Sequence, residues 1–307
     1  MKILVVGAGA IGGYFGGRLL ETGQDVTFLV RKARAQALAQ HGLQIRSQAG
    51  DASLMAPPTV QADALHETFD LIMLSCKAYH LPQALQDMAP AVGEQTLILP
   101  LLNGMQHLDR LDARFGAGRV LGGLCVIPAT LDAEGVVRHL GASAGLSFGE
   151  RDGGRSPRVE RIAQAMANAR FDSRLSNTIL QDMWNKWVFL AALAGITCLM
   201  RAPIGDIVAA PGGERAILDL LEECRRVAEA NGYAPGDAAM QRSRTMLTEA
   251  GSTLSASMLR DLEQGSPVEA DHVIGDLLAR GEAAALELPK LRLAYTQLMA
   301  YEARRGQ

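Results

Sequence analysis

Over the first half of the chain, short runs of Val, Ile and Leu alternate with longer segments of helical periodicity, the pattern of βαβ units around a parallel sheet. Residues 3–6 form the first strand. Residues 10–22 then have helical character and stop at Gly23, residues 26–30 make a second strand, and residues 33–40 a second helix closed by Gly42. The runs 71–76, 96–102 and 120–126 are almost continuously apolar, as strands covered on both faces are. Two shorter, more polar runs, 136–140 and 146–148, read as an antiparallel edge. Residues 151–158, rich in Gly, Arg, Asp and Pro, read as an exposed loop, and beyond them strand signals nearly vanish. Helical segments at 179–199, 213–231, 236–250, 254–263, 269–286 and 289–303 fill the remainder. The pattern predicts an α/β fold in which a parallel-sheet domain, residues 1–176, precedes an all-helical domain, residues 177–307.

A chain of 307 residues, 48% of them apolar, can bury a sizeable core and divide into two domains. The formal net charge of -3 supplies no global basic field, so neither nucleic acid nor an anionic membrane is an expected partner. The apolar stretch 187–200 is shorter than the ~20 residues of a membrane span and is read as a core helix. Residues 3–6 are too short for the core of a signal peptide. Cys76, Cys125, Cys198 and Cys224 form no CxxC pair and suit buried thiols in a reducing compartment, so a cytoplasmic location is expected. The six histidines are scattered, without HExxH or metal-ligand spacing, and no metal is expected. There is no GxSxG and no Walker A motif, which leaves hydrolase and phosphotransferase readings without support.

Gly7, Gly9 and Gly12 form GxGxxG between the first strand and the first helix, with Ala10 and Ile11 opening the helix. In that context the motif predicts a Rossmann-type dinucleotide site: a tight turn, a close approach of backbone to pyrophosphate, and a helix close to the sheet. The helix N-terminus offers its N–H groups to phosphate. After the second strand, where an acidic residue would hold an NAD ribose, stand Arg31, Lys32 and Arg34. Paired guanidinium donors suit a 2′-phosphate, so NADP(H) is the expected cofactor; a solvated basic loop is the alternative.

With these blocks in place, together with SCKAY around Lys77, LLNGM with Asn103 and Gly104, MWNKW with Lys186, and SMLRDLEQGSPVEAD with Ser257 and Glu269, the whole chain resembles the ketopantoate (2-dehydropantoate 2-) reductase family. The resemblance implies an NADPH-dependent reduction of 2-dehydropantoate to pantoate, a step of pantothenate biosynthesis. It implies Lys186 as general acid, Glu269 as its acidic partner, Ser257 as a contact for the substrate carboxylate, Asn103 at substrate and cofactor, and Lys77 beside cofactor phosphate or substrate. The chemistry agrees for Lys186, because an ammonium stabilises charge growing on a carbonyl oxygen and then supplies the proton. Its place between two tryptophans on an apolar helix predicts burial.

One helix face departs from the family. Members that reduce ketopantoate carry asparagines four and eight residues after the lysine, where this chain has Leu190 and Ala194, with Thr197 kept. The substrate expected is therefore a small 2-oxo acid, with a more apolar one as alternative. A 3-hydroxy acid dehydrogenase and a non-catalytic NADP(H) sensor are further readings; retention of Lys186, Ser257 and Glu269 together argues against the sensor. A homodimer is allowed.

Overall fold

The computed structural model describes residues 1–306; Gln307, the last residue of the predicted helical domain, lies outside the described residues. The chain forms two compact units, Met1–Leu102 with His107–Ile179, and Asn103–Gln106 with Leu180–Gln307. Each is described by itself.

The first unit begins with β1 (Lys2–Val6), α1 (Ala10–Glu21), β2 (Asp25–Leu29), α2 (Lys32–His41), β3 (Leu43–Arg46), β4 (Ala52–Leu54) and β5 (Thr59–Val60). It continues with β6 (Leu71–Leu74), α3 (Leu81–Asp87), β7 (Leu97–Pro100) and α4 (Gln106–Phe115). Then come β8 (Gly122–Val126), β9 (Ala129–Leu131), β10 (Val137–His139), β11 (Gly145–Gly149), α5 (Pro157–Met166) and β12 (Asp172–Leu175). Five strands make the central sheet in the order β5-β2-β1-β6-β7, all parallel. The strands β1, β6 and β7 are buried along almost their whole length, as the continuous apolar runs require.

Two further sheets, β4-β3-β10-β9 and β12-β11-β8, complete the unit. They correct the expected antiparallel edge: β10 pairs antiparallel with β9 and parallel with β3, while β11 pairs antiparallel with β8 and parallel with β12. The reason lies in α1, which is covered on two sides. A Cβ on Gly16 would meet the Phe28 ring at 2.6 Å, on the side of the central sheet, and one on Gly13 or Gly17 would meet Val137 at 2.8 Å or Ile45 at 2.7 Å, on the side of the second sheet. Val137 and His139 turn inward onto this helix and Arg138 outward, which makes β10 a half-buried cover. The expected loop 151–158 already contains the start of α5, and its arginines are paired: Arg151 with Asp112 at 2.8 Å, and Arg158 with Glu150.

The second unit is built on α6 (Ile179–Met200), followed by α7 (Ile204–Ala209), α8 (Gly213–Ala230), α9 (Asp237–Leu247) and α10 (Ser257–Glu263). A π-turn, Asp271–Gly275, leads into α11 (Asp276–Ala283), and α12 (Pro289–Arg305) closes the chain. Where one helix was expected over 269–286, the wider π-turn comes first. Helix α6 is long and apolar enough to cross a membrane by length and composition, but two-thirds of its apolar window is buried in protein, as a core helix is. At Gly195 a Cβ would lie 2.9 Å from Leu220 of α8 and 3.4 Å from Ala294 of α12, so the small residue sets the close packing of the three helices. The carboxylate of Glu223, on α8, accepts the N–H groups of Lys290 and Leu291 at 3.1 and 2.8 Å and so caps α12.

Candidate active site

At the end of β1 the chain turns through Gly7, whose φ of +94° is a region that disfavours a side chain. Gly9 then caps α1 without a side-chain hydrogen bond. The first-turn N–H groups of Ala10, Ile11 and Gly12 lack intrahelical acceptors, which leaves them for a ligand. The glycines differ in purpose. A Cβ on Gly12 would lie 2.0 Å from the carbonyl oxygen of Gly7 and 2.3 Å from the hydroxyl of Ser75, whereas one on Gly9 would meet nothing within 4 Å. Gly12 is thus glycine for packing; Gly9 has open space around its Cα. These features fit the pyrophosphate of a dinucleotide.

Sequence reasoning missed the role of Ser75, which donates its hydroxyl hydrogen to the carbonyls of Val6, at 2.9 Å, and Gly7, at 3.2 Å. It locks the glycine turn to the end of β6. The partner lies 68 and 69 positions upstream, so no local pattern could announce it. Lys77 follows, half-buried, opening the short 3₁₀ turn Ala78–His80.

The basic segment separates into two roles. Arg31 is exposed and opens α2, and its Nη2 donates to Nδ1 of His80 at 3.2 Å. Arg34 is partly buried, donates from Nε to the carbonyl of Ala8 at 2.9 Å and from Nη1 to that of Gly135 at 3.1 Å, and burial lowers its pKa. The grouping of Arg34 with Arg31 as phosphate ligands is corrected here: Arg34 holds the glycine turn and the β9–β10 hairpin.

In the second unit, Nζ of Lys186 donates to Oδ1 of Asn103 at 2.8 Å. Two more contacts join the elements that carry these groups. Gly104, at φ +75°, passes so near the turn after Glu269 that a Cβ there would lie 2.6 Å from the carbonyl oxygen of His272. Nε1 of Trp187 donates to the carbonyl of Val273 at 2.8 Å. Segments 103–104, 186–187 and 269–273 therefore form a closed triangle that fixes an ammonium, an amide and the backbone of a carboxylate residue. π-Turns are frequent at functional sites, and here one begins two residues after Glu269.

The expected burial of Lys186 is corrected in part. Trp184 and Trp187 are 2% and 1% exposed and belong to the core, with Trp184 stacked on Tyr233, but Lys186 itself is only partly buried. It leaves the core on another face of α6. Of the substituted pair, Leu190 is partly exposed and Ala194 is 1% exposed, so Leu190 presents surface and Ala194 is enclosed. Thr197 is wholly buried and back-bonds to the carbonyl of Leu193 at 2.7 Å. Ser257 stands exposed at the first position of α10, outside the triangle. Among the described residues no group of three or more His, Cys, Asp or Glu could hold a metal ion. Cys125, Cys198 and Cys224 are buried, and burial pushes the Cys198 thiol up to about 12, far from a reactive thiolate.

Comparison with known proteins bears on what this arrangement belongs to. The sequence pattern described as ketopantoate reductase PanE/ApbA matches residues 3–153, and that of its C-terminal region matches residues 178–302. The chain belongs to the ketopantoate reductase family, a family of oxidoreductases. It is 39% identical to the uncharacterized oxidoreductase YkpB of Bacillus subtilis, over 99% of each chain. It is 28% identical to the 2-dehydropantoate 2-reductase of Pyrococcus abyssi, over 100% of this chain and 99% of the other. The solved 2-dehydropantoate 2-reductase from Geobacter metallireducens superposes with a TM-score of 0.89 at 28% identity, covering 98% of this chain and 99% of that one. Family membership settles the oxidoreductase class and the fold, a parallel sheet with helices followed by a helical region.

Proposed function

We propose that this ketopantoate reductase family member is an NADPH-dependent reductase of a small 2-oxo acid. The observation that carries the reading is the Lys186 to Asn103 hydrogen bond within the triangle of segments, because it presents a half-exposed ammonium in a fixed direction. A bound nicotinamide cofactor would supply the hydride, held by the N–H groups at the start of α1 and, through its 2′-phosphate, by Arg31. As the carbonyl carbon accepts hydride, negative charge grows on its oxygen. The Lys186 ammonium stabilises that charge and transfers a proton to the oxygen, and Asn103 holds the donor in place. By the family resemblance, Glu269 is assigned to orient the ammonium or a substrate hydroxyl, Ser257 to the substrate carboxylate, and Lys77 to cofactor phosphate or substrate.

Ketopantoate is the family substrate, and a 2-oxo acid with a more apolar distal end is favoured by one feature: Leu190 presents an alkyl group one helical turn beyond Lys186, where an amide would satisfy a hydroxyl. Burying a hydroxyl without a partner costs about 1–3 kcal/mol, from roughly fivefold to somewhat over a hundredfold in specificity. The test is a comparison of kcat/KM for ketopantoate and for alkyl and aryl 2-oxo acids, followed by loss of NADPH absorbance. Turnover of 3-hydroxy acids alone, or of nothing in the panel despite tight NADPH binding, would overturn the proposal.

A further inference from the structure

The contact between Arg31 and His80 has a property that the cofactor assignment does not use. A guanidinium can only donate, so the imidazole nitrogen it faces must carry a lone pair. With Nδ1 accepting from Arg31 Nη2 at 3.2 Å, the resting His80 is neutral, its proton on Nε2. Its surroundings favour that form: burial first, then the positive charge of Arg31, hold His80 below the ordinary imidazole range. Tyr79 meets the ring edge-on, with centroids 4.6 Å apart, and Lys77 lies three residues before it at the start of the same 3₁₀ turn. Arg31, from the start of α2, is the charged group whose field shifts His80, and no carboxylate contributes.

We infer that His80 is a second reader of the cofactor 2′-phosphate, and that binding NADPH draws a proton from solvent onto its imidazole. The inference rests on Arg31 being the phosphate-binding residue, as proposed above. A phosphate seated on Arg31 brings up to two negative charges to a site where the ring now faces a cation. It also competes for the guanidinium donors that the Nδ1 lone pair accepts. Both changes favour imidazolium, which then donates to a phosphate oxygen in a charge-assisted bond. NADH brings no such group and leaves His80 neutral. The device adds specificity, because the second cationic donor exists only when the phosphate has arrived.

The sign follows from linkage. A group whose pKa is higher in the complex than in the free protein tightens binding as pH falls through the complex value, and each unit of upward shift is worth up to tenfold in affinity. The phosphate's own second ionisation, near pH 6, acts oppositely, since binding to Arg31 lowers its pKa and releases protons. Comparison with His80→Gln removes that contribution, because glutamine keeps an amide in the contact but cannot titrate.

The experiment is calorimetric titration of the cofactor-free full chain with NADPH and with NADH, in buffers of different ionisation heat. It is run from about pH 8 to about pH 6, with wild type and His80→Gln side by side, and imidazole NMR of both proteins gives the His80 titration directly. Expected is more proton uptake with NADPH for wild type than for the variant, none for NADH, and an upward shift of the His80 titration in the complex. The wild-type advantage in NADPH affinity should grow by roughly three- to tenfold as pH falls across that range. Clear NADPH preference with equal proton uptake by the two proteins overturns the role of His80 while leaving Arg31 as phosphate ligand. Equal affinity for NADPH and NADH overturns the phosphate assignment and this inference with it.

Discussion

In the parallel-sheet unit, the groups offered to a ligand are mostly backbone N–H groups, shaped by side chains that are missing at Gly7, Gly9 and Gly12; in the helical unit they are side chains, Lys186 and Asn103, carried by elements packed around a long core helix. A backbone site is intolerant of added atoms. A side-chain site is intolerant of removed ones. The first unit can therefore be broken without touching chemistry and the second without touching the fold, a contrast that single substitutions can test.

The largest effect is expected at Lys186. Lys186→Ala should lower turnover by about a hundredfold or more, because in the proposed reaction the ammonium acts on charge that develops only in the transition state. NADPH affinity, measured by titration, should stay near wild type. If affinity falls as much as turnover, the separation between the two sites is wrong.

Next come the two glycines of the backbone site. Gly12→Ala places a methyl 2.0 Å from the Gly7 carbonyl oxygen and should destabilise the fold by about 3 kcal/mol or more, seen as a lower Tm. Gly9→Ala meets no protein atom within 4 Å, so its Tm should hold while dinucleotide binding fails. Thermal unfolding and cofactor titration on the same samples distinguish them. Equal loss of stability in both variants would refute the division of labour.

A smaller effect separates the two arginines. Arg31→Ala should weaken NADPH binding by about tenfold and leave NADH unchanged, one charge-assisted contact being worth about 1.5–3 kcal/mol at most when fully made. Arg34→Ala should weaken both cofactors alike, because it releases the Ala8 carbonyl and with it the glycine turn. The smallest effect is expected at Leu190: Leu190→Asn should shift kcat/KM from apolar 2-oxo acids toward ketopantoate by a few-fold, measured on a substrate pair.

The contrast also explains what the sequence made legible. The first strand, the glycine turn and the following helix form one contiguous stretch with fixed spacing, so strand, turn and helix could be read in order. Four strands of the central sheet and the helical second half followed from periodicities of two kinds, continuous apolar runs and helical repeats. The strands β3, β4, β5, β9 and β12 did not, being short and only partly buried, with pairing set by partners far along the chain. At the site, the family resemblance named Lys186 and Asn103 separately. Their hydrogen bond spans 83 positions, and no spacing rule reaches across it. The roles of Ser75, His80 and Arg34 were hidden for the same reason: each depends on a partner brought near by folding. Arg34 looked like its neighbour Arg31 because both are cationic at the start of α2; which carbonyls a side chain reaches is decided by the turn opposite.

The short segment Asn103–Gln106 groups with the helices although the 73 residues His107–Ile179, which belong to the first unit, separate it from them along the chain. Its position bears on how such a protein can be recombined. A chimera spliced at Ile179 from two parents would take its lysine from one and its asparagine from the other, so the two halves are not exchangeable cassettes. A graft between parents that differ at residues 103–106 keeps the Lys186 contact when that segment travels with the helices.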